Sequence, residues 1–305
     1  MKSTSTWAAF LLLAVIWGAN FIFVQGAAEH ITPLQITLLR VVLGFLPILA
    51  LGLAMGALRW SHARHLHHFA VMSLIATALY YLAFAKGTVL LLSSVAGMLS
   101  GAIPLFTFLA AWAFLRTEPL NARSAAGTLL GFLGILLIAR PWAGTGAEVG
   151  GTNVAGVLYM LAGSLSLGAS FVYARRFISP LGLSPVALAT YQMGLAALIL
   201  GVVTDLDGIG AVFGDTRAAL GLIVGLGLAG TGLAYVLYYL LVQRMGAVRA
   251  SAVTYLPPVV ALLIGVVAGE PVAGLDLVAM TAILAGVGIV QSARNATAAS
   301  PAKAA

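Results

Sequence analysis

Residues 6–27 read TWAAFLLLAVIWGANFIFVQGA, a run with no charged side chain and only Thr6, Asn20 and Gln25 as polar members. As a helix rising 1.5 Å per residue it reaches about 33 Å, enough to cross a hydrocarbon core of about 30 Å. It exceeds a signal-peptide core and no Ala-x-Ala site follows, so it is expected to stay in the protein. Nine similar runs follow, at 33–57, 67–86, 90–115, 123–140, 153–175, 185–204, 218–242, 250–269 and 273–292. Only 8% of the 305 residues are charged, 62% are hydrophobic, and the mean hydropathy is +1.09. A water-soluble domain carries about 25% charged residues. The expected fold is therefore an all-α integral membrane protein of ten transmembrane helices, with no segment outside the membrane long enough for a soluble domain. The tail 295–305 reads as disordered.

The connections are short and hold most of the charge: 29–33, 59–65, 116–123, 141–153, 175–185, 205–217, 243–249 and 270–276. With the N-terminus in the cytoplasm, Lys2, Arg59, Arg64, Arg116, Arg123, Arg175, Arg176, Arg244, Arg249, Arg294 and Lys303 lie inside. Lys86, Arg140 and Arg217 lie outside, and Arg40 falls within a span. Lys and Arg concentrate on the cytoplasmic side of membrane proteins. Both termini are thus expected in the cytoplasm, with the chain in the plasma (inner) membrane. The acids sort the opposite way: seven lie outside and only Glu118 inside. A pI near 10 could suggest nucleic acid, but basic residues dealt to alternate loops form no binding arm. The absence of cysteine excludes disulfides and thiolate metal sites.

The chain repeats itself at an offset of about 150 residues. Gly18-Ala19-Asn20-Phe21 returns as Gly168-Ala169-Ser170-Phe171, Pro33 and Arg40 as Pro185 and Gln192, and Glu118-Pro119 as Glu270-Pro271. Tyr80-Tyr81 is matched by Tyr235, Tyr238 and Tyr239. Each copy holds five helices, at 1–148 and 149–305. An odd number makes the second copy enter the membrane from the opposite side, the inverted repeat common among secondary transporters.

Trp17-Gly18-Ala19-Asn20-Phe21, Pro33 with Arg40, Pro104 followed by Glu118, and Pro257 followed by Glu270 occur in order and duplicated. In these motifs the chain resembles the drug/metabolite transporter superfamily, specifically its ten-helix EamA-type exporters, over nearly its whole length. Arg116-Thr117-Glu118 departs from the family's commoner leucine-glycine-glutamate. The resemblance implies a non-enzymatic exporter of amino acids, nucleosides, nucleotide sugars or related metabolites.

Candidate site residues follow from depth. Trp17 and Asn20 stand near the middle of the first span; Trp17 either packs or lines a pore, while a mid-membrane amide must find a partner. Ser93, Gly97, Ser100 and Pro104 share one face of the fourth span, with Met98 nearby. Ser251, Thr254, Tyr255 and Pro258 share one face of the ninth, beside Pro257. Proline leaves a backbone carbonyl without its helical donor, so acceptors are expected near Pro104 and Pro257. The sixth span adds Ser166, Ser170 and Tyr173. Arg40, the basic residue well inside a span, either reaches the interface or meets a substrate carboxylate. Tyr80 and Tyr81 with Arg40 are expected to form an outer gate layer, and Tyr235, Tyr238 and Tyr239 with Gln192 an inner one. One layer should be parted when the other is packed.

No acid lies at mid-depth, so a coupling carboxylate is not expected, and Glu118 and Glu270 read as helix start signals. His62, His65, His67 and His68 read as a solvated interfacial face rather than a metal site, and no cofactor is expected. An intramembrane enzyme would need mid-depth Asp pairs, a buried His set or a Ser/His pair. The expected function is export of a small metabolite by alternating access. A tyrosine-rich, charge-poor pocket favours neutral amino acids, aromatic or hydrophobic ones first, as in the similar YddG-like exporters. Nucleosides and drug-like amphiphiles are the alternative. The expected partners are the substrate and the lipid bilayer, with the chain a monomer.

Overall fold

The computed structural model describes residues 2–115, 121–140, 153–245 and 252–299. Among them the chain forms ten helices and no strand: α1 Lys2–Ala28, α2 Pro33–Ala54, α3 Trp60–Val89, α4 Ser93–Phe114, α5 Ala122–Ala139, α6 Val154–Leu181, α7 Pro185–Val203, α8 Thr216–Leu241, α9 Ala252–Val267 and α10 Gly274–Ala299. Nine are long and apolar enough to cross a membrane and α9 is shorter. Exposed large side chains such as Leu11, Leu133, Leu198 and Val202 suit a lipid-facing surface. The last helix runs on to Ala299, past the expected end at 292 and into the tail read as disordered.

Start signals act where the sequence places them. Thr32 forms a capping box with Gln35 ahead of Pro33, the first residue of α2. Asn121, Asn153, Ser184 and Asp215 cap α5, α6, α7 and α8 by accepting a backbone N–H three residues on. Burial pushes the Asp215 carboxyl up, but the backbone hydrogen bond from Ala218 outweighs it and holds the group below its usual range.

The two copies interleave. Helix α1 packs on α8 and α9 as α6 packs on α3 and α4; α2 packs on α8 as α7 packs on α3. The remaining large contacts, α2 with α7, α4 with α9 and α5 with α10, each join a helix to its own repeat mate. These contacts depend on small residues, since lipid gives helices no hydrophobic reason to associate and close backbone approach must supply the attraction. A Cβ on Gly286 would lie 2.5 Å from the Gly127 carbonyl oxygen, and one on Gly97 2.1 Å from the Ala261 side chain.

Besides the π turn near the end of α6 at Ala174–Ile178, four helices depart from regular α geometry within or at the start of their spans. Helix α4 tightens to 3₁₀ geometry at Ser100–Ala102 ahead of Pro104, and α9 does so at Ala252–Tyr255 ahead of Pro257. Helix α3 widens to π geometry at Leu74–Ala78 and α8 over Gly221–Leu233. Such departures commonly mark functional sites in helices.

Among the described residues, the connections after α1, α3, α7 and α9 gather at one end, the acidic face, with Glu29, Asp205, Asp207, Asp215, Glu270 and Asp276. The described connections after α2 and α6 gather at the other, the basic face, with Arg59, Arg64, Arg175 and Arg176. At the acidic face Gln25 Nε2 donates to Leu91 O, Gln35 Nε2 donates to Asp205 O and Asp207 O, and Arg140 pairs with Asp276 at 2.5 Å. At the basic face the Arg59 amide donates to Tyr191 Oη, which also meets His62, while His68 bonds Tyr173 Oη.

Glu270 is not a start signal for its own following helix. Its carboxylate accepts from the Ser93 amide at 3.0 Å, the Ser93 hydroxyl at 2.5 Å and the Ser94 amide at 2.9 Å, capping α4 of the other copy. The first-turn amides of a helix lack internal acceptors and carry partial positive charge, so a carboxylate is their natural partner. The repeat mate Glu118 lies outside the described residues.

Candidate substrate cavity

At the centre of the bundle two connected lobes share Trp17, Tyr80 and Leu167. The larger, about 370 Å³ between atoms, is walled by Tyr81, Tyr235, Tyr238, Tyr239, Ser170, Phe171, Met72, Ala76 and Ala174. The smaller, about 290 Å³, is walled by Phe21, Phe84, Ser100, Ile103, Thr254 and Pro257. The centre of a water-sized molecule has only about 20 Å³ in each. That is room for about one water, so the cavity is contracted in this conformation.

Aromatic rings form its wall. Trp17 meets Tyr238 at 6.2 Å between centroids, Phe171 meets Tyr238 at 5.4 Å, and Tyr81 meets Tyr235 edge-on at 6.5 Å. The two gate layers expected from sequence therefore meet around one cavity, and neither is parted. Tyr81, Tyr235, Tyr238 and Tyr239 are all buried. Rings need not slide far to close such a space, because edge-to-face contacts tolerate a range of angles.

Hydrogen bonds behind the wall obey the repeat. Tyr235 Oη donates to Ala76 O, and Tyr81 Oη donates to Gly230 O at 3.5 Å. Gln192 Nε2 donates to Thr77 Oγ1 at 2.8 Å, and Arg40 Nε donates to Thr231 Oγ1 at 3.2 Å. Ala76 and Gly230, Thr77 and Thr231, and Tyr81 and Tyr235 are each separated by 154 positions. The acceptors sit in the π segments of α3 and α8. Thr231 in turn donates to Leu226 O, five residues back, as a π-turn places it.

The two copies differ at the residue that does the donating. Gln192 is neutral and fully engaged, since it also accepts from Tyr239 Oη at 2.8 Å. Arg40 is a guanidinium stacked 3.7 Å over the Tyr81 ring and 3% exposed, and among the described residues it has no carboxylate in ion-pair range and no partner for Nη2. It neither reaches an interface nor lines the cavity; it lies behind Tyr81.

Of the residues singled out from sequence, Trp17, Tyr80, Tyr81, Ser170, Tyr235, Tyr238, Ser100, Thr254 and Pro257 come together around the lobes. Asn20 stands beside Arg40's neighbours: a Cβ on Gly230 would lie 2.2 Å from its Oδ1, which has no hydrogen-bond partner. Ser93 is at the acidic face under Glu270. Ser166 donates to Ile75 O on α3. Met98 is fully buried in packing, Pro104 is half-buried in the α4 break, and Tyr255 reaches Gln291 on α10. Ser251 lies outside the described residues. The carbonyl that Pro104 leaves without its helical donor, Ser100 O, accepts from the Ile103 amide, and the one that Pro257 leaves, Val253 O, accepts from the Leu256 amide at 3.3 Å, so both acceptors are engaged locally.

Sequence reasoning missed Thr77 and Thr231, whose repetition at the tyrosines' own offset was the available signal. It also missed Leu167 and Phe171, because an apolar residue on a membrane helix does not announce which way it points.

The EamA-like transporter family matches twice, over residues 5–140 and 154–291. A protein of Archaeoglobus fulgidus described as an uncharacterized transporter is 24% identical over 288 residues, 93% of this chain and 98% of its own. The uncharacterized inner membrane transporter YedA of Escherichia coli is 25% identical over 92% of this chain and 89% of its own, and the uncharacterized transporter YdfC of Bacillus subtilis 24% identical over 83% and 79%. One solved crystal structure, 20% identical, shares the fold at a TM-score of 0.62 over 96% of this chain and 99% of its own. With both five-helix copies matched and the same fold along the chain, this protein belongs to the EamA-like transporter family.

Proposed function

We propose that the protein exports neutral amino acids with aromatic or large apolar side chains by alternating access. The single observation that carries this reading is the central cavity: five tyrosine rings and one tryptophan ring, hydroxyls from Ser100, Ser170 and Thr254, and no charged side chain among the described residues of its wall. A phosphorylated metabolite needs several cations in the wall to replace its hydration. A neutral molecule with a ring or branched chain needs apolar area and a few hydroxyls.

Alternating access is supported by the inverted arrangement of partners around that cavity. A contracted cavity with both aromatic layers packed corresponds to the state between openings. The basic face is the cytoplasmic one by the distribution of Lys and Arg, and the membrane is the plasma membrane, as for the inner membrane relative.

The test is flux in proteoliposomes with a panel of labelled solutes. Phenylalanine, tyrosine and leucine should be carried well ahead of glutamate, lysine and sugar phosphates. Carriage of hydrophobic amines or nucleosides with no carriage of amino acids would overturn the substrate assignment.

A further inference from the structure

Among the described residues, Arg40 and Asn20 leave two buried polar atoms unmatched in the membrane interior: a donor, Arg40 Nη2, and an acceptor, Asn20 Oδ1. Both side chains stand against one short piece of α8. Arg40 bonds Thr231, Asn20 lies on Gly230, and Tyr81 Oη reaches Gly230 O. At 3% and 7% exposure both residues lie away from bulk water. A buried polar group without a partner costs stability, and a buried cation without an anion costs more. The second copy of the fold is the internal control, because Gln192 at the same place is neutral and satisfied on both its donor and its acceptor. A buried cation at this position is therefore not a requirement of the architecture.

We infer that Arg40, Thr231 and Asn20 form a subsite for the headgroup of a zwitterionic amino acid, with Tyr81 as its cover. Arg40 Nη2 donates to the carboxylate, and Asn20 Oδ1 accepts from the ammonium. The two side chains touch adjacent residues of α8, and the carboxylate and ammonium of an α-amino acid are borne by one carbon. The side chain of the substrate then occupies the aromatic cavity on the other side of Tyr81. In this conformation the Tyr81 ring lies against the guanidinium and walls the cavity, so binding requires that ring to swing aside. Its leaving exchanges a cation–π contact for a charge-assisted hydrogen bond, the stronger of the two. A single guanidinium balances one negative charge, which suits a carboxylate better than a phosphate.

This inference rests on the amino-acid reading above and goes beyond it in naming the headgroup contacts. The test is equilibrium binding to purified protein of three probes that share a phenyl ring: phenylalanine, phenethylamine, which lacks the carboxylate, and hydrocinnamate, which lacks the ammonium. The wild type should bind phenylalanine at least about tenfold tighter than either, the scale of one charge-assisted hydrogen bond. Arg40→Gln should bring phenylalanine down to the level of phenethylamine, and Asn20→Leu should bring it down to that of hydrocinnamate. Arg40→Lys should keep part of the preference. Ratios between probes within one variant do not depend on how much of it is folded. Equal binding of all three by the wild type, or unchanged ratios in both variants, overturns the subsite and leaves amino-acid export standing. Binding of none of the three by the wild type overturns the amino-acid reading and the subsite with it.

Discussion

Single residues in this protein matter in proportion to the water they cannot reach. Gln192 satisfies Thr77 and Tyr239 at once. Gln192→Leu leaves both without that partner, and should lower unfolding stability in detergent by about 1 kcal/mol, the scale of interhelical hydrogen bonds in membranes; an unchanged melting temperature would show that Thr77 finds another donor and Tyr239 another acceptor. Glu270 presents a pH dependence. Burial pushes its carboxyl up, but the hydrogen bonds from Ser93 and Ser94 outweigh burial and hold it below its ordinary value of 4.5. A group whose value is lowered on folding stabilises fully above its unfolded value, and the contribution is lost as pH falls through the lowered folded value. Melting temperature should thus fall below about pH 4.5 more steeply in the wild type than in Glu270→Gln. At pH 7 the substitution should cost about 1 kcal/mol, as for a lost helix cap on a partly exposed group. Parallel pH profiles for the two proteins would refute the assignment.

Helices here are held by how closely their backbones approach, so small residues decide which elements meet. Gly286 on α10 faces the Gly127 carbonyl and Gly131 on α5. Gly286→Val should force these two helices apart, because the obstructing atoms are backbone and cannot rotate away, and should reduce the yield of folded protein severely. Gly288 on the same helix has open space where a Cβ would stand, so Gly288→Ala should be tolerated. Equal yields from both variants would mean that α5 and α10 are not a fixed pair. The π segments of α3 and α8 are the same kind of device used to a different end. They carry Thr77 and Thr231 and offer the carbonyls of Ala76 and Gly230 to tyrosines on the partner copy.

For the molecule as a whole, the charge-sorted ends and the inverted pairing of helices predict how it sits and moves. Reporters fused after residue 148 and after residue 305 should lie on opposite sides of the membrane, and finding both on one side would break the five-plus-five arrangement. In this cysteine-free chain, single cysteines at Tyr81 and Tyr238 should change accessibility to a water-soluble thiol reagent in opposite directions when substrate is added. Inertness of both, with and without substrate, would remove the tyrosines from the gate.

The sequence alone determined the number of the helices and roughly where each lies, because twenty apolar residues in a row have one stable fate in a bilayer and the backbone must satisfy itself. It also exposed the repeat, since Gly18-Ala19-Asn20-Phe21 and Gly168-Ala169-Ser170-Phe171 can be compared without knowing where either sits. Only the tertiary structure decided which side chains share a space. Direction around a helix is unreadable where every face is apolar, so Leu167 and Phe171 entered the cavity unannounced while Met98 and Ser166 left it. Glu270 looked local and turned out to cap a helix 177 residues away along the chain. Arg40 and Gln192 occupy equivalent positions, yet one is satisfied and the other is not. That difference depends on atoms brought together from four helices, which no local pattern along the chain records.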